Sequence, residues 1–274
     1  MYSIITTCKG RLRHLVETLP AMLRQPRSEV VVVDYGCPDG TAEHVAARHP
    51  AARVVRAGPV EGFNVSRARN LGAAAAGGET LVFVDADVVL ADGFVDFVTA
   101  HLGAEAFAKP RDPVVPSDNS VQGTCVVHRR HFALVGGYDE VLVNYGGEDL
   151  ELYERLQTAR LGIVPLPPEV FSRVIPHGQE DRERFVRGGA ETGFMVGKIY
   201  RTAKDMMIRL NGTFEVDLAT RRELYDEITR LVRRMEGMAP RSLTLEVKFP
   251  DTRKGGLHER WSFLRSFKVT VEEK

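Results

Sequence analysis

The chain has 274 residues, long for one domain and short for two full ones. Lys and Arg together number 37, as do Asp and Glu, so no basic excess argues for nucleic acid, and 43% hydrophobic content describes an ordinary soluble globular chain. Three cysteines, Cys8, Cys37 and Cys125, are too few and too odd in number for a disulfide framework and point to a reducing cytoplasm.

No apolar run approaches the ~20 residues that span a bilayer. The start, Met-Tyr-Ser-Ile-Ile-Thr-Thr, reads as a strand rather than a signal peptide, since it lacks a basic segment and its apolar run is short. Residues 3–7 form the first expected strand. A helix follows with Leu12, Leu15, Val16, Leu19 and Leu23 apolar, and Pro20 is expected to bend or shorten it. Residues 29–34 give a second buried strand ending in Asp34, then a turn of Gly36, Pro38, Asp39 and Gly40, then a short helix over 41–48. Residues 53–56 form a third strand. Ser66 is expected to cap an Ala-rich helix closed by Gly77 and Gly78.

The next stretch, Leu81 to Leu90, organises the chain. Four apolar residues run into Asp85-Ala86-Asp87, so the carboxylates should mark the C-terminal end of a strand buried on both faces. Ligands of open α/β sheets bind there. Two carboxylates bracketing one small residue suit a hard divalent cation, although an Asp pair can also simply cap a turn. Strand and helix alternate four times in the first hundred residues, which implies an α/β fold with a mostly parallel sheet. A nicotinamide-binding fold is rejected, because Thr6-Thr7-Cys8-Lys9-Gly10-Arg11 stands where its glycine fingerprint belongs.

Past Ala100 the texture changes. Pro110, Pro113 and Pro116 mark a loop-like segment, followed by a strand over 123–127 and a short helix ending at Gly136-Gly137. Gly146-Gly147-Glu148-Asp149 opens another helix. The glycine pair lets a ligand approach the backbone, and the helix dipole would keep a carboxylate ionised for general-base work. The same carboxylates would also serve as an ordinary helix cap. His177 gains meaning only if the fold brings it to Asp87. Beyond about Gly188, residues 194–210 are helical in pattern, Thr220 to Glu223 matches a capping box, and 242–249 and 262–271 alternate like half-buried antiparallel strands.

In order, these stretches resemble a GT-A glycosyltransferase of the family 2 type over roughly residues 1–190. Val32-Val33-Asp34-Tyr35-Gly36-Cys37-Pro38-Asp39-Gly40-Thr41 is similar to that family's VVDDGSxDGT, and Ser66-Arg67-Ala68-Arg69-Asn70-Leu71-Gly72 to its SxARNxG. Asp85-Ala86-Asp87 is similar to its DxD. Gly136-Gly137-Tyr138-Asp139 and Tyr145-Gly146-Gly147-Glu148-Asp149-Leu150-Glu151-Leu152 resemble the GGxD…WGGEDxEL signature of β-1,4-galactosyltransferases, chondroitin-type polymerases and polypeptide N-acetylgalactosaminyltransferases. Tyr145 replaces the usual tryptophan against the acceptor, and Tyr35 stands where many members have a second Asp.

The resemblance implies a catalytic domain over 1–190, with a nucleotide-binding half over 1–100 and an acceptor and metal half over 101–190, and a helix and β-hairpin extension over 191–274. It implies that Thr7, Lys9 and Arg11 hold the nucleotide and diphosphate, that Asp34 meets the uracil, and that Arg69 lies near the diphosphate. Asp85 would touch the ribose or the metal, Asp87 and His177 would ligate Mn²⁺ or Mg²⁺, Glu148, Tyr145 and Gly147 would contact sugar or acceptor, and Asp149 would be the base. The implied reaction moves a hexose or N-acetylhexosamine from a UDP-sugar to a glycan, lipid-linked or peptide acceptor with inversion. A retaining UDP-N-acetylgalactosamine-type transferase and a non-catalytic sugar-nucleotide-binding protein are the alternatives. Arg221, Arg222, Arg230, Arg233 and Arg234 give the last helix a basic side that fits either a solvated face or a membrane surface, and the terminal hairpin leaves a homodimer open.

Overall fold

A computed structural model describes residues 1–58, 62–111, 121–143, 146–176, 178, 184–185, 190–235, 241–250 and 262–271. The chain divides into two compact units, Met1–Val143 with Glu148–Arg187, and Asn144–Gly147 with Gly188–Lys274.

The first unit is built on strands β1 (Tyr2–Cys8), β2 (Ser28–Asp34), β3 (Arg53–Arg56) and β4 (Thr80–Phe83), which lie parallel in the order β3-β2-β1-β4. The Val, Ile and Phe runs of β1, β2 and β4 are buried on both faces, as the continuous apolar pattern requires, while β3, at the sheet's edge, is only half-buried. Beyond β4 the sheet continues through β7 (Cys125–His128), β6 (Ala106–Pro110) and β8 (Gly162–Leu166), with β7 the single antiparallel strand. The expected α/β architecture is therefore found. β1 is the switch point, since the chain winds to β2 and β3 on one side and to β4 on the other. A crevice opens at the carboxyl ends of the strands on either side of such a point.

Helices α1 (Leu12–Leu23), α2 (Thr41–Arg48), α3 (Val65–Ala75) and α4 (Phe94–His101) connect these strands, and α5 (Arg129–Leu134) and α6 (Glu148–Thr158) serve the second half. A two-stranded antiparallel sheet joins β5 (Val88–Leu90) to β9 (Phe171–Val174). In the second unit, helices α7 (Ala190–Asn211) and α8 (Leu218–Met235) precede β10 (Arg241–Pro250) and β11 (Ser262–Val271), which pair antiparallel.

Several expectations are corrected. Pro20 does not shorten α1, which runs on to Leu23 with Leu15, Leu19 and Met22 anchoring its inner face. Asn64, not Ser66, caps α3, its side-chain oxygen accepting the Arg67 N–H at 2.9 Å; Asn caps as well as Ser, and Ser66 lies buried within the helix. Asp217, not Thr220, caps α8, accepting the Thr220 N–H at 2.9 Å and its hydroxyl at 2.6 Å. Pro110 closes β6, where it ends the strand without breaking its interior. Pro113 and Pro116 lie outside the described residues.

One close approach positions the site. A Cβ on Gly72 would overlap Ile5 Cγ2 and lie 3.0 Å from Val33 Cγ2, so glycine there lets α3 lie directly on β1 and β2. Arg69, almost one turn earlier on the same helix, reaches from there to Asp85 beyond the end of β4.

Candidate active site

Asp85 and Asp87 lie just past the end of β4, in the tight turn that leads into β5. The turn closes with the Val88 N–H donating to the Asp85 carbonyl at 3.1 Å. Glu148 and Asp149 stand in the first turn of α6. Although the two pairs are separated by more than sixty residues of chain, Asp85, Glu148 and Asp149 meet at one guanidinium. Arg69, 3% exposed, donates from Nη2 to Asp85 Oδ1 at 2.8 Å and from Nη1 to Glu148 Oε1 at 3.3 Å and to Asp149 Oδ1. Its charged plane also lies 5.0 Å from the centre of the Tyr138 ring. Gly123 makes the arrangement feasible, because a Cβ there would overlap Asp85 Oδ2 and lie 2.9 Å from Arg69 Nη2.

Charge follows from this geometry. Burial works against the Arg69 cation, but Asp149, Asp85 and Glu148 together bind its proton more tightly than usual. Burial pushes Asp149 well above the ordinary carboxylate range; Arg69 opposes that, and Glu148 and Asp85 add to it. The helix dipole expected to keep Asp149 ionised is thus outweighed by burial and by its acidic neighbours. The cluster holds more negative charge than Arg69 offsets.

Two further contacts fix the acidic helix. Arg155 Nε donates to Glu151 Oε1 at 2.7 Å, and the same guanidinium reaches Glu151 Oε2 and the Val135 carbonyl. The Tyr153 hydroxyl sits 2.8 Å from the Gln122 carbonyl and 2.9 Å from that of Thr124, beside the entry to β7. Asn70, next to Arg69, holds the Gly136–Asp139 loop: its amide nitrogen donates to the Tyr138 carbonyl, and its oxygen accepts the Tyr138 N–H, both at 2.9 Å. Sequence reasoning gave no role to Asn70, Gly123, Tyr138, Tyr153 or Arg155. Only the asparagine carried a signal, as part of the Ala-Arg-Asn motif.

The other named residues fall as follows. Arg11 Nη1 lies 3.7 Å from Asp87 Oδ2. Lys9 is buried, with its ammonium donating to the Tyr35 carbonyl at 3.2 Å. Thr7 is a buried residue of β1 itself, one position before its end. Asp34 organises its own loop, since Oδ1 accepts the Cys37 N–H at 2.7 Å and Oδ2 the Ala42 N–H at 2.9 Å. Gly147 precedes α6 and belongs to the second unit. Tyr145 and His177 lie outside the described residues.

Among the described residues no three His, Cys, Asp or Glu side chains gather as a metal site. The donors present nevertheless fit a hard divalent cation. Asp85, with a third of its side chain exposed, and Asp87 offer oxygen ligands beside an excess of negative charge. The N–H of Ile175, two residues before His177, donates to the Asp87 carbonyl at 2.8 Å. No described helix is long and apolar enough to cross a membrane.

Comparison with known proteins bears on the fold that carries these residues. Residues 3–107 match the model of glycosyl transferase family 2, and residues 104–177 match that of the N-terminal domain of galactosyltransferase. No curated protein matches the sequence. Among solved structures, TarS from S. aureus in complex with UDP-GlcNAc is similar at 15% identity, covering 86% of this chain and 73% of that one, with a TM-score of 0.58. The mannosyltransferase PcManGT from Pyrobaculum calidifontis, in complex with GDP-Man and Mn²⁺, is 15% identical over 87% of this chain and 70% of that one, with a TM-score of 0.54. The catalytic domain of Drosophila β1,4-galactosyltransferase 7, in complex with xylobiose, is 17% identical over 72% of this chain and 79% of that one, with a TM-score of 0.50. The two family matches overlap at residues 104–107 and together span residues 3–177; with the seven-stranded sheet they show a glycosyltransferase on a GT-A fold, similar to glycosyl transferase family 2 over its first part.

Proposed function

We propose that the protein transfers a hexose or N-acetylhexosamine from a UDP-sugar to an acceptor hydroxyl, with inversion, and that Asp149 is the base. The observation that carries this reading is the meeting of Asp149 with Asp85 across Arg69. It sets a candidate base beside the acidic turn at the sheet's switch point, where a nucleotide-sugar would lie. The UDP-GlcNAc held by TarS and the galactosyltransferase match favour a UDP-sugar over a guanosine donor.

Each residue then has a task. Asp85 and Asp87, with His177, would hold Mn²⁺ or Mg²⁺, which when bound would supply Lewis-acid neutralisation of the diphosphate charge. Arg69 is a positioning residue, pairing with Asp85, Glu148 and Asp149 through its two terminal nitrogens. Glu148 accepts hydrogen bonds from sugar or acceptor hydroxyls. Asp149 takes the acceptor's proton on a carboxylate oxygen as the hydroxyl attacks from the face opposite the leaving group. Its raised proton affinity makes it a stronger base than an exposed carboxylate. Lys9 and Arg11 face the donor from the loop after β1. The acceptor is a glycan, a lipid-linked sugar or a peptide. Three free cysteines accord with a cytoplasmic setting.

The test is Mn²⁺-dependent thermal stabilisation against UDP-, GDP- and dTDP-sugars, since a ligand that binds only the folded state raises its melting temperature. A shift confined to UDP-sugars and lost on chelation is expected. No shift with any nucleotide in the presence of metal would overturn the nucleotide-sugar donor, and with it the non-catalytic sugar-nucleotide-binding alternative.

A further inference from the structure

Two of the three cysteines are neighbours in space although 29 residues apart in sequence. Cys8 closes β1 and Cys37 lies in the loop between β2 and α2, with their sulfurs 4.0 Å apart. Each has a fixed setting. Cys8 is buried, and its sulfur lies 3.2 Å from the Thr41 hydroxyl oxygen. Cys37 is partly exposed, its own N–H is tied to Asp34 at 2.7 Å, and its sulfur accepts the Gly10 N–H at 3.1 Å. Cys37 also stands where the VVDDGSxDGT pattern has serine, so the pair is a feature of this chain and not of the motif.

We infer that Cys8 and Cys37 form an oxidisable pair, which a hydroperoxide closes into a disulfide joining the loop after β1 to the loop after β2. The two thiols are set apart electronically as well. The hydrogen bond from Cys8, together with those from Thr41, Asp39 and Gly10, brings Cys37 down to about 5 against the opposing effect of burial, whereas the bond to Cys37 and burial push Cys8 far up. Cys37 is therefore the thiolate nucleophile and Cys8 the resolving thiol.

The chemistry balances. The Cys37 sulfur attacks one oxygen of hydrogen peroxide, the O–O bond breaks, hydroxide leaves, and Cys37 becomes a sulfenic acid. The Cys8 thiol then gives up its proton and its sulfur attacks the Cys37 sulfur. The S–O bond breaks, and the hydroxide that leaves takes up that proton as water. With the proton first released by Cys37, two thiols are oxidised to one disulfide while one peroxide is reduced to two waters. Closing the bond requires the sulfurs to approach to about 2.05 Å, which draws Cys37 away from the Gly10 N–H. Gly10 lies between Lys9 and Arg11, so the disulfide displaces the donor-facing loop. Only this last consequence rests on the function proposed above.

The full-length reduced protein is treated with hydrogen peroxide, digested without reductant and mapped by mass spectrometry. The expected product is a Cys8–Cys37 linked peptide, lighter by two hydrogens than the sum of its parts and lost on treatment with dithiothreitol. Cys125, buried in β7 and pushed up by that burial, remains a free thiol and serves as the internal control. Sulfinic acid on Cys37 without the linked peptide, or a link to Cys125, would overturn the inference. In parallel, the thermal shift given by UDP-N-acetylgalactosamine with Mn²⁺ is expected to shrink in the oxidised protein and return on reduction. Cys37→Ser is expected to keep the shift under peroxide. An undiminished shift in protein shown to carry the linked peptide would overturn the effect on the loop. Absence of the shift in reduced protein too would count against the proposed donor, while the linked peptide would still report on the pair.

Discussion

Arg69 Nη2 donates to Asp85 Oδ1 at 2.8 Å, and the same buried guanidinium reaches Asp149 and Glu148 through Nη1. One side chain of α3 thus sets the geometry of carboxylates brought in by the turn after β4 and by α6. Removing it leaves three acidic groups without their shared partner. Arg69→Ala is expected to cost about 3 kcal/mol, because breaking a buried ion pair strands its remaining charges. Arg69→Lys keeps the charge but cannot fork to three acceptors, so it should fold and transfer poorly. Urea unfolding midpoints and initial rates check both, and an unchanged midpoint for Arg69→Ala would contradict the clasp.

Asp149 should announce itself through pH. Its folded-state proton affinity is raised, so transfer should fall as pH drops through that raised value, placing the acid limb of the rate profile well above the ordinary aspartate value of 3.8. The linkage to stability has the opposite sense: a carboxyl raised on folding contributes most at low pH, and that contribution is lost as pH rises through the folded value. Asp149→Asn, neutral at every pH, should therefore abolish transfer, keep UDP-sugar binding, and melt above wild type near neutrality but not in acid. Melting curves at pH 4 and pH 7.5 decide it. A near wild-type rate in the variant would remove Asp149 as base.

The metal assignment has its own check. Asp87→Asn and His177→Ala should each weaken Mn²⁺ binding by about tenfold or more, since each removes a proposed ligand. Calorimetric titration of the metal without donor reads this directly. Unchanged curves in both would dismiss the site.

Gly72→Ala should destabilise the first unit by about 1–3 kcal/mol, as forcing a methyl against Ile5 and Val33 overpacks the contact between α3 and the sheet. Because Arg69 rides on that helix, activity should fall with stability. Thermal denaturation and rates on the same preparation test the coupling.

At the opposite end of the sheet, Glu29 accepts the Ser3 hydroxyl at 2.6 Å and the N–H groups of Gly77 and Gly78 at 2.5 and 3.2 Å. Burial pushes its carboxyl up, but Ser3, Gly77 and Gly78 bring it below the usual range. A carboxylate lowered on folding contributes stability above its unfolded value of 4.5 and loses it as pH falls through the folded one. Glu29→Gln should cost on the order of 1 kcal/mol at pH 7, and less below pH 4. Equal loss at both pH values would refute the linkage.

The sequence by itself determined the parallel half of the sheet. Short apolar runs at residues 29–34 and from Leu81 onward read as strands buried on both faces, residues 3–7 and 53–56 as further strands of the same sheet, and the polar ends mark where a ligand binds. It also determined that Asp85, Asp87, Glu148 and Asp149 stand at element ends, because carboxylates there break the apolar period. What the strands β6 and β8 do was not legible, since Pro110 and Pro165 mask them and β8, at the sheet's edge, is buried only at Leu166. Nor was Asn64's place as the cap of α3, where two equally good capping residues compete within three positions. The joining of Arg69 to Asp85, Glu148 and Asp149, at separations of 16, 79 and 80 residues, and of Cys8 to Cys37, was decided only by the tertiary structure. Local period and composition set which face of a helix or strand is apolar. Which polar groups then meet depends on how closely α3 lies on the sheet and where α6 ends its approach, and those distances are properties of the packed chain.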